Sequence, residues 1–464
     1  MKKLTRLLAG VLCLAMLTTA AGCNKEKHTS PDSSATETAD VSAEVSQETG
    51  ETALTIDPNT IYWVADYDLN PAAGQEQSTA LAMFEKQYNA KVEWIPATAE
   101  NKYDILMQRV NTSEPVDMFP FDINTMPDGV SRELFDPLDD YMDLNDSVWD
   151  GVRDAIDMFA YAGKHYVVPY SVSDPLVLTY SRKLCKENGF DDPYTLYQQG
   201  KWDWNTMMDM MKQFADKESG NYGIAGWFAS GLLHSSGQAV IGFDGNQFTN
   251  NIEHAEIGAA EGVLADIAKQ GLYDATWYNH YPTSNKVLFY SMGDWALGAS
   301  NAKNPDADIM VVPFPKSPNI SEYYYSGGYN AKMLAADSEK GALVASYILC
   351  ERMAAVNEEY QKTAKQEALT PVKNSLGETV GVVTEEQYDA IQQYQDSAKP
   401  LYEFGLGMGG MMYTNGAYTY ETRGIMNNIF DGLLLYPDTG DTWEDLRDTL
   451  SPLIDMELDE YNLQ

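Results

Sequence analysis

Acidic and aromatic side chains directly after predicted strands are the part of this sequence best suited to holding a ligand. Asp66 and Tyr67 follow the first β-rich run of the chain, and Asp122 follows the third. Further along, the turn Gly293-Asp294-Trp295 presents a tryptophan after another apolar run. Carboxylates accept strong hydrogen bonds, and flat aromatic rings cover apolar faces. This set of residue types predicts noncovalent binding.

Motifs for metal or cofactor chemistry are incomplete. Asp66-x-Asp68-x-Asn70 begins like a calcium loop, but Pro71 replaces the required glycine and Gln77 replaces the bidentate glutamate. Gly405-x-Gly407-x-x-Gly410 fits the dinucleotide fingerprint, but no β-branched strand precedes it and Met411-Met412 follow where a helix should begin. We interpret it as a flexible loop. We predict no metal, no cofactor and no catalytic residue.

The first 22 residues predict an export signal. Lys2, Lys3 and Arg6 precede an apolar run at 7–17 that is too short to remain as a membrane-spanning helix. Ala-Ala-Gly then stands directly before Cys23, which resembles the bacterial lipobox. The resemblance implies cleavage before Cys23 and a diacylglycerol on its sulfur, which would anchor the chain stably if two or more acyl chains are attached. The alternative is a secreted protein with an incidental cysteine.

Composition describes the rest of the chain in outline. Residues 23–55 are rich in Ser, Thr, Ala and Glu without aromatic residues, and predict a lipid-anchored disordered tether.

The whole chain has 31 Lys and Arg against 69 Asp and Glu, which gives a net charge of −38. This negative charge excludes nucleic acid and anionic lipid headgroups as partners. We expect Cys185 and Cys350 to be buried free thiols.

The remaining length suits two α/β bodies rather than one core. Strand–helix–strand–helix–strand alternation over 60–122 predicts a parallel sheet, in which ligands lie outside the carboxyl ends of the strands. Residues 170–174 are a polar interruption flanked by prolines, which indicates a crossing between bodies. Residues 288–329 predict a strand, an aromatic-tipped loop, a second strand and a glycine-rich crossing back. Beyond Met353 the chain is predicted to be mostly helical.

Five runs resemble, in order, the sugar-type extracellular solute-binding proteins of ABC importers. They are KHYVVPYSVSDPLVLTYSRKLCKENGF, GKWDWNTMMDMM, VLFYSMGDWALG, DIMVVPFPK and YYYSGGYNAKML. The resemblance implies a two-lobe α/β fold of the type 2 periplasmic-binding-protein class, which closes on a ligand by hinge rotation and docks on a permease. It implies lobe 1 at 56–170 and 315–365, and lobe 2 at 171–314 and 366–464.

The resemblance also carries site residues over by position. Trp295 and Trp227 match aromatic platforms on which a sugar ring stacks. Phe121 stands where the best-known members have tryptophan, so the identity of the sugar stays open. The complete set of implied ligand-binding residues is Asp66, Tyr67, Asp122, Tyr170, Asp174, Trp227, Trp295, Gly328 and Tyr329.

We therefore expect a monomeric lipoprotein on the outer face of a Gram-positive type of cytoplasmic membrane, which captures a mono- or oligosaccharide for an ABC-type importer. One alternative is a binding lipoprotein for a peptide or polyamine, or a receptor coupled to a membrane sensor. Another is a surface glycosidase with two working carboxylates. With 69 acidic residues, the presence of a carboxylate pair does not distinguish that enzyme.

Overall fold

The computed structural model describes residues 57–72, 77–373, 379–412, 424–435 and 442–462. The export signal at 1–22, Cys23 and the tether at 23–55 lie outside these residues. Among the helices in these ranges, none has the length and apolar character needed to cross a membrane.

Strands and helices alternate along the described chain. In chain order the strands are β1 (Thr60–Ala65), β2 (Lys91–Pro96), β3 (Met118–Pro120), β4 (Phe135–Asp136), β5 (Ala160–Tyr161), β6 (Lys164–His165), β7 (Ser171–Ser173), β8 (Leu176–Ser181), β9 (Tyr222–Gly226), β10 (Ile241–Phe243), β11 (Phe248–Asn250), β12 (Tyr273–Asp274), β13 (Val287–Gly293), β14 (Ile309–Val312), β15 (Gly328–Asn330), β16 (Lys332–Ala335), β17 (Val372–Lys373) and β18 (Thr379–Gly381). The helices are α1 (Thr79–Tyr88), α2 (Lys102–Thr112), α3 (Arg153–Met158), α4 (Arg182–Glu187), α5 (Pro193–Gln198), α6 (Trp204–Phe214), α7 (Phe228–His234), α8 (Ala255–Gln270), α9 (Leu297–Lys303), α10 (Gly341–Val356), α11 (Glu358–Ala368), α12 (Glu385–Ser397), α13 (Gly409–Met412), α14 (Ile425–Leu435) and α15 (Trp443–Asn462).

Sheet 1 has the strand order β2-β1-β3-β16-β4. β1 pairs in parallel with β2 and with β3, which confirms the parallel sheet predicted over 60–122. β16 comes from far along the chain and runs antiparallel to β3, with Lys332 opposite Pro120. The local alternation of strands and helices could not indicate this long-range pairing.

Helices α1 and α10 pack together beside sheet 1. Ser78 caps α1 by accepting a hydrogen bond from the Leu81 backbone at 3.2 Å. Leu81 and Phe84 lie three residues apart, so they share a face of the helix and are both fully buried. Phe84 meets Tyr347 of α10 edge to face, with ring centroids 5.2 Å apart. Burial of side chains of this size stabilises the lobe by roughly 1.5–3 kcal/mol each.

Sheet 2 has the order β12-β9-β13-β8-β14. β12, β9 and β13 are parallel, whereas β8 and β14 complete the sheet in antiparallel pairs. Every residue of β13 is buried, which explains why it reads as a continuous apolar run rather than an alternating one. The two strands predicted within 288–329 are confirmed, but the segment between them contains α9 and is not only a loop.

The prediction of a flexible loop at Gly405–Met412 was wrong. The chain forms a 3₁₀ turn at Phe404–Gly407 and then α13. Gly407 is buried, and a Cβ there would collide with the Ile123 carbonyl oxygen. The glycine therefore permits close packing of two chain segments that are distant in sequence. Cys185 and Cys350 are free and buried, as predicted.

Candidate functional site: a cleft between two sheet edges

A short ribbon of two strands joins the sheets. β7 pairs antiparallel with β15 through three residue pairs, which span about 10 Å at the usual rise per residue. β7 leads into β8, whose Leu176 pairs with Gly293 at the end of β13. β15 leads into β16, whose Lys332 pairs with Pro120 at the end of β3. The ribbon therefore connects the edges at which the parallel strands of both sheets end. The region between these edges is the candidate ligand site, and we call it the cleft.

Three exposed tryptophans follow the three parallel strands of sheet 2. Trp277 comes after β12, Trp227 after β9 and Trp295 after β13. Their side chains are 50%, 46% and 43% exposed, unlike the buried tryptophans of the core. The rings of Trp227 and Trp277 have centroids 4.9 Å apart and planes inclined by 40°. We call these three residues the tryptophan shelf.

The backbone at the ends of β9 and β13 fixes two members of the shelf. Trp227 donates its backbone N–H to the Ser291 carbonyl at 3.0 Å and accepts a hydrogen bond from the Ser291 hydroxyl at 2.9 Å. Gly226 has φ of 88°, and a Cβ there would collide with the same carbonyl. Only glycine fits this approach. At Gly293 a Cβ would lie 2.5 Å from Nε1 of Trp295, so the missing side chain makes room for that indole.

Two carboxylates lie beside the shelf, at the point where the ribbon enters sheet 2. Asp294 immediately follows β13 and is partly buried, and Asp174 is exposed with a left-handed φ of 46°. Burial, and then the negative charge of Asp174, raise the pKa of Asp294 to about 7. Among the described residues, neither carboxylate forms an ion pair.

The edge of sheet 1 carries a buried ammonium group surrounded by aromatic rings. Lys332 is 3% exposed, and its Nζ lies 2.9 Å from Glu351 Oε1 and 2.9 Å from the hydroxyl of Tyr170. The same Nζ is 4.8 Å from the Tyr170 ring centroid and 5.5 Å from that of Tyr347. Burial alone would lower the pKa of Lys332, but the Glu351 carboxylate holds this pKa above its ordinary value. Because Glu351 lies on α10, the pair ties that helix to β16.

Tyr67 and Asp122 are also held by contacts within lobe 1. The Tyr67 ring packs edge to face on Trp63 at 5.4 Å, and its backbone carbonyl accepts the Trp63 indole N–H at 3.0 Å. Burial raises the pKa of the Tyr67 phenol, an effect that the Lys332 charge opposes. Oδ2 of Asp122 lies 2.5 Å from Nζ of Lys102, and its Oδ1 accepts a hydrogen bond from the Tyr103 hydroxyl at 2.5 Å. These groups are positioned before any ligand arrives.

The sequence-predicted site residues fall into three groups. Those at the edge of sheet 1 are Asp66, Tyr67, Asp122 and Tyr170, those on or beside the ribbon are Asp174, Gly328 and Tyr329, and those at the edge of sheet 2 are Trp227 and Trp295. Tyr329 is 6% exposed, and its hydroxyl donates to the Leu401 carbonyl at 3.3 Å. Its ring therefore packs inside the protein rather than lining the open cleft.

Sequence reasoning missed Trp277, Asp294, Lys332 and Glu351. Trp277 follows a strand of only two residues, which is too short to show alternation. Lys332 was detectable as a lone lysine opening an apolar strand, and Tyr347 and Glu351 as a pair four residues apart on one helix face. Within the described ranges, no group of three or more His, Cys, Asp or Glu side chains could hold a metal ion.

Two sheet-containing α/β bodies joined by a ribbon match the two-lobe, periplasmic-binding-protein-like fold of solved structures. The chain belongs to the bacterial extracellular solute-binding proteins, whose family model matches residues 79–390. This is a family of binding proteins rather than of enzymes. No curated protein sequence matches the chain.

Solved structures with the same fold share little sequence with this chain. The sugar-binding protein MalE from Xanthomonas citri is 15% identical, with a TM-score of 0.63 over 86% of this chain and 98% of that one. The cyclic α-maltosyl-1,6-maltose binding protein of Arthrobacter globiformis is 13% identical, with a TM-score of 0.59 over 86% and 98%. An ABC substrate-binding protein of Listeria monocytogenes in complex with cycloalternan is 15% identical, with a TM-score of 0.55 over 86% and 98%.

Proposed function

We propose that this protein captures a carbohydrate in the cleft and delivers it to an ABC-type importer. The observation that carries the proposal is the tryptophan shelf. A sugar ring has an apolar face of C–H groups, and exposed indoles that follow three neighbouring strands offer a matching surface. Proteins with this fold from Xanthomonas citri and Arthrobacter globiformis are described as sugar-binding and as cyclic α-maltosyl-1,6-maltose binding, respectively.

Ligand contacts from both lobes are part of the proposal. To shift a two-lobe protein from mostly open to mostly closed, a ligand must favour the closed state by about 5.5 kcal/mol. Contacts with one sheet edge alone are available in both states and supply little of this difference. We assign direct contacts to the shelf, to Asp66 and Tyr67 of lobe 1, and to Asp174. Asp122, Tyr170, Gly328 and Tyr329 would position the edges, because their polar or backbone groups already bond within the protein.

The lobe limits predicted above, 56–170 with 315–365 and 171–314 with 366–464, are retained in the proposal. So are a monomeric state and docking on permease subunits. The closed form would present both lobes to the permease. Size-exclusion chromatography with light scattering tests the monomer directly.

Lipid anchoring through Cys23 belongs to the same proposal. The lipobox-like sequence supports it, and the acidic tether would then hold the folded lobes away from the membrane. Labelling cells with a radioactive fatty acid should mark the wild-type chain and leave Cys23→Ser unlabelled. Release of both proteins into the medium in equal amounts would rule out the anchor.

Isothermal titration calorimetry on shelf variants tests the binding role. A thermal-shift screen over sugars, peptides and polyamines first identifies a ligand, because stabilisation grows with ligand concentration relative to Kd. Trp295→Ala and Trp227→Ala should then weaken binding about tenfold or more, from loss of both the aromatic stacking and the buried apolar area. Tyr141→Ala is the matched control, because this exposed aromatic belongs to lobe 1 and comes after β4, outside the proposed site. Unchanged affinity in both tryptophan variants would overturn the proposed site.

A further inference from the structure

A hairpin of lobe 1 touches a hairpin of lobe 2 at a place outside the ribbon. The β5–β6 hairpin turns at Ala162 and Gly163, whose φ angles of 50° and 72° lie in the left-handed region that a two-residue hairpin turn requires. The backbone N–H of Ala162 donates to the Gly245 carbonyl at 2.7 Å, and Gly245 belongs to the turn between β10 and β11. The two lobes are therefore joined turn to turn as well as through the ribbon.

Stacked aromatic rings strengthen this contact between the hairpins. The ring of Tyr161 in lobe 1 lies on the ring of Phe243 in lobe 2, with centroids 5.7 Å apart and planes inclined by 15°. Phe248 of the same lobe 2 hairpin lies 6.4 Å from Tyr161, with planes inclined by 29°. Aromatic pairs at such distances attract each other. Because Tyr161 and Phe243 are both partly exposed, their separation would uncover less apolar surface than the separation of a fully buried pair.

Each hairpin is fixed to its own lobe. In lobe 1 the Asp139 carboxylate, which comes just after β4, accepts the backbone N–H of His165 at 2.7 Å and lies 2.7 Å from its ring Nδ1. In lobe 2 the backbone of Phe248 exchanges two hydrogen bonds with the Asn462 side chain of α15, both at 2.9 Å. A rotation of one lobe relative to the other therefore carries each hairpin along as part of its lobe, and the strain falls on the contact between them.

The aromatic contact beside the ribbon differs from the contact between the hairpin tips. Phe159, directly before β5, is fully buried, and its ring centroid lies 5.5 Å from that of Tyr329 in the ribbon and 4.8 Å from that of Tyr402. Separating these rings would expose buried apolar surface, whereas Ala162 and Gly163 at the hairpin tip are already exposed. A rotation that keeps Phe159 packed and separates the tips costs the least free energy. The buried rings therefore suit a pivot, and the tips suit a contact that opens and closes.

We propose that the β5–β6 hairpin is a latch, which holds the two lobes in the orientation of this structure and releases when they rotate about the ribbon. One hydrogen bond and one ring stack form a contact that is weak enough to break reversibly and still favours one orientation. The apparent affinity of a two-lobe protein depends on the fraction of molecules in the binding-competent orientation. Through the latch, residues outside the cleft set that fraction, whichever ligand the cleft takes.

Spin-label distances between the lobes test the latch without a ligand. The labels are attached at Gln87→Cys on α1 and Lys269→Cys on α8, both at exposed positions. The full chain also carries Cys13→Ser and Cys23→Ser, and its two other native cysteines are buried and therefore poorly reactive. Double electron–electron resonance should give one dominant distance for this starting protein. Tyr161→Ala should raise the fraction of a second distance about threefold or more, because the ring stack is lost.

Control variants separate the latch from a general loss of structure. Tyr161→Phe keeps the ring and should match the starting protein, as should Tyr141→Ala, which removes an exposed tyrosine of lobe 1 outside the contact. Phe243→Leu removes the stacked ring from the lobe 2 side and should repeat the effect of Tyr161→Ala, so the test does not depend on one variant folding well.

Equal distance distributions in Tyr161→Ala and Tyr161→Phe would overturn the latch. A second distance in the starting protein that neither Tyr161→Ala nor Phe243→Leu changes would overturn it as well, because the hairpins would then not set the orientation of the lobes. Either result leaves carbohydrate capture standing, since the thermal-shift screen and the tryptophan variants test that function separately.

Discussion

The two edges of the cleft are built in opposite ways. At the edge of sheet 1 the polar groups are bonded to one another, as in the buried pair of Lys332 with Glu351 and the pair of Lys102 with Asp122. At the edge of sheet 2 the aromatic rings are exposed, and Asp174 and Asp294 form no ion pair among the described residues. The first edge therefore contributes mainly to stability and shape. The second edge keeps its interactions available for a ligand.

Replacing a tryptophan at each edge should give the largest difference in the free energy of unfolding. Trp63 is fully buried in sheet 1, so Trp63→Ala should lower the free energy of unfolding by about 3–5 kcal/mol. Trp277 is 50% exposed, and Trp277→Ala should cost less than about 1 kcal/mol. Urea unfolding followed by circular dichroism measures both. Equal losses would mean that the shelf is a packing element and that the two edges do not differ in this way.

Removing the buried ammonium should give the next largest effect. Lys332→Met leaves the Glu351 carboxylate without its partner, and should cost about 3 kcal/mol. Lys332→Met combined with Glu351→Gln should recover part of that loss, because the unpaired charge is removed. Lys365→Met is the control, since Lys365 pairs with exposed carboxylates on α12, and it should leave the unfolding midpoint unchanged. A midpoint equally unchanged in Lys332→Met would contradict a stabilising role for the buried pair.

Local sequence signals explain why some groups at the edge of sheet 1 were easier to predict than others. Asp66 and Asp122 each follow a strand whose apolar pattern and flanking helix are visible within about 15 residues. Ser78 and Asp203, residue types that favour the first position of a helix, cap α1 and α6. The Lys332–Glu351 pair depends instead on packing between β16 and α10. Such a contact depends on tertiary packing rather than on periodicity.

Other site features depended on backbone detail that residue types do not encode. Trp277 follows a strand held in place by its neighbour β9 rather than by its own two residues. The resemblance supplied Trp227 and Trp295, but not Gly226 and Gly293, which position them. A side chain at Gly226 or Gly293 would collide with atoms of β13 or of Trp295. These collisions can be recognised only from the three-dimensional structure.

Proton binding at the second edge should be measurable near neutral pH. The pKa of Asp294 lies above its ordinary value, so its proton stabilises the folded state, and the free energy of unfolding should fall as pH rises from about 4 to about 7. Fluorescence of the adjacent shelf should report a transition near pH 7. Asp174→Asn should move the midpoint to lower pH, because the neighbouring negative charge is gone. Glu403→Gln tests the assignment, since burial also raises the pKa of Glu403 to about 7. A transition that survives in Asp294→Asn but is lost in Glu403→Gln would belong to Glu403 and would contradict the assignment to Asp294.

The substitution Gly293→Ala should have the smallest effect on stability. It tests whether Trp295 contributes to ligand binding or to packing at the edge of sheet 2. In Gly293→Ala the new methyl would lie 2.5 Å from Nε1 of Trp295, and the indole must rotate away. Because that indole is 43% exposed, rotation should cost less than about 1 kcal/mol of folding free energy. Loss of one stacked ring should weaken saccharide binding by up to about tenfold, given 0.5–1.5 kcal/mol per aromatic contact. Gly262→Ala on α8 is the matched control, since its Cβ would meet nothing within 4 Å. If Gly293→Ala instead lowers stability while affinity stays constant, Trp295 packs the loop and the shelf is reduced to Trp227 and Trp277.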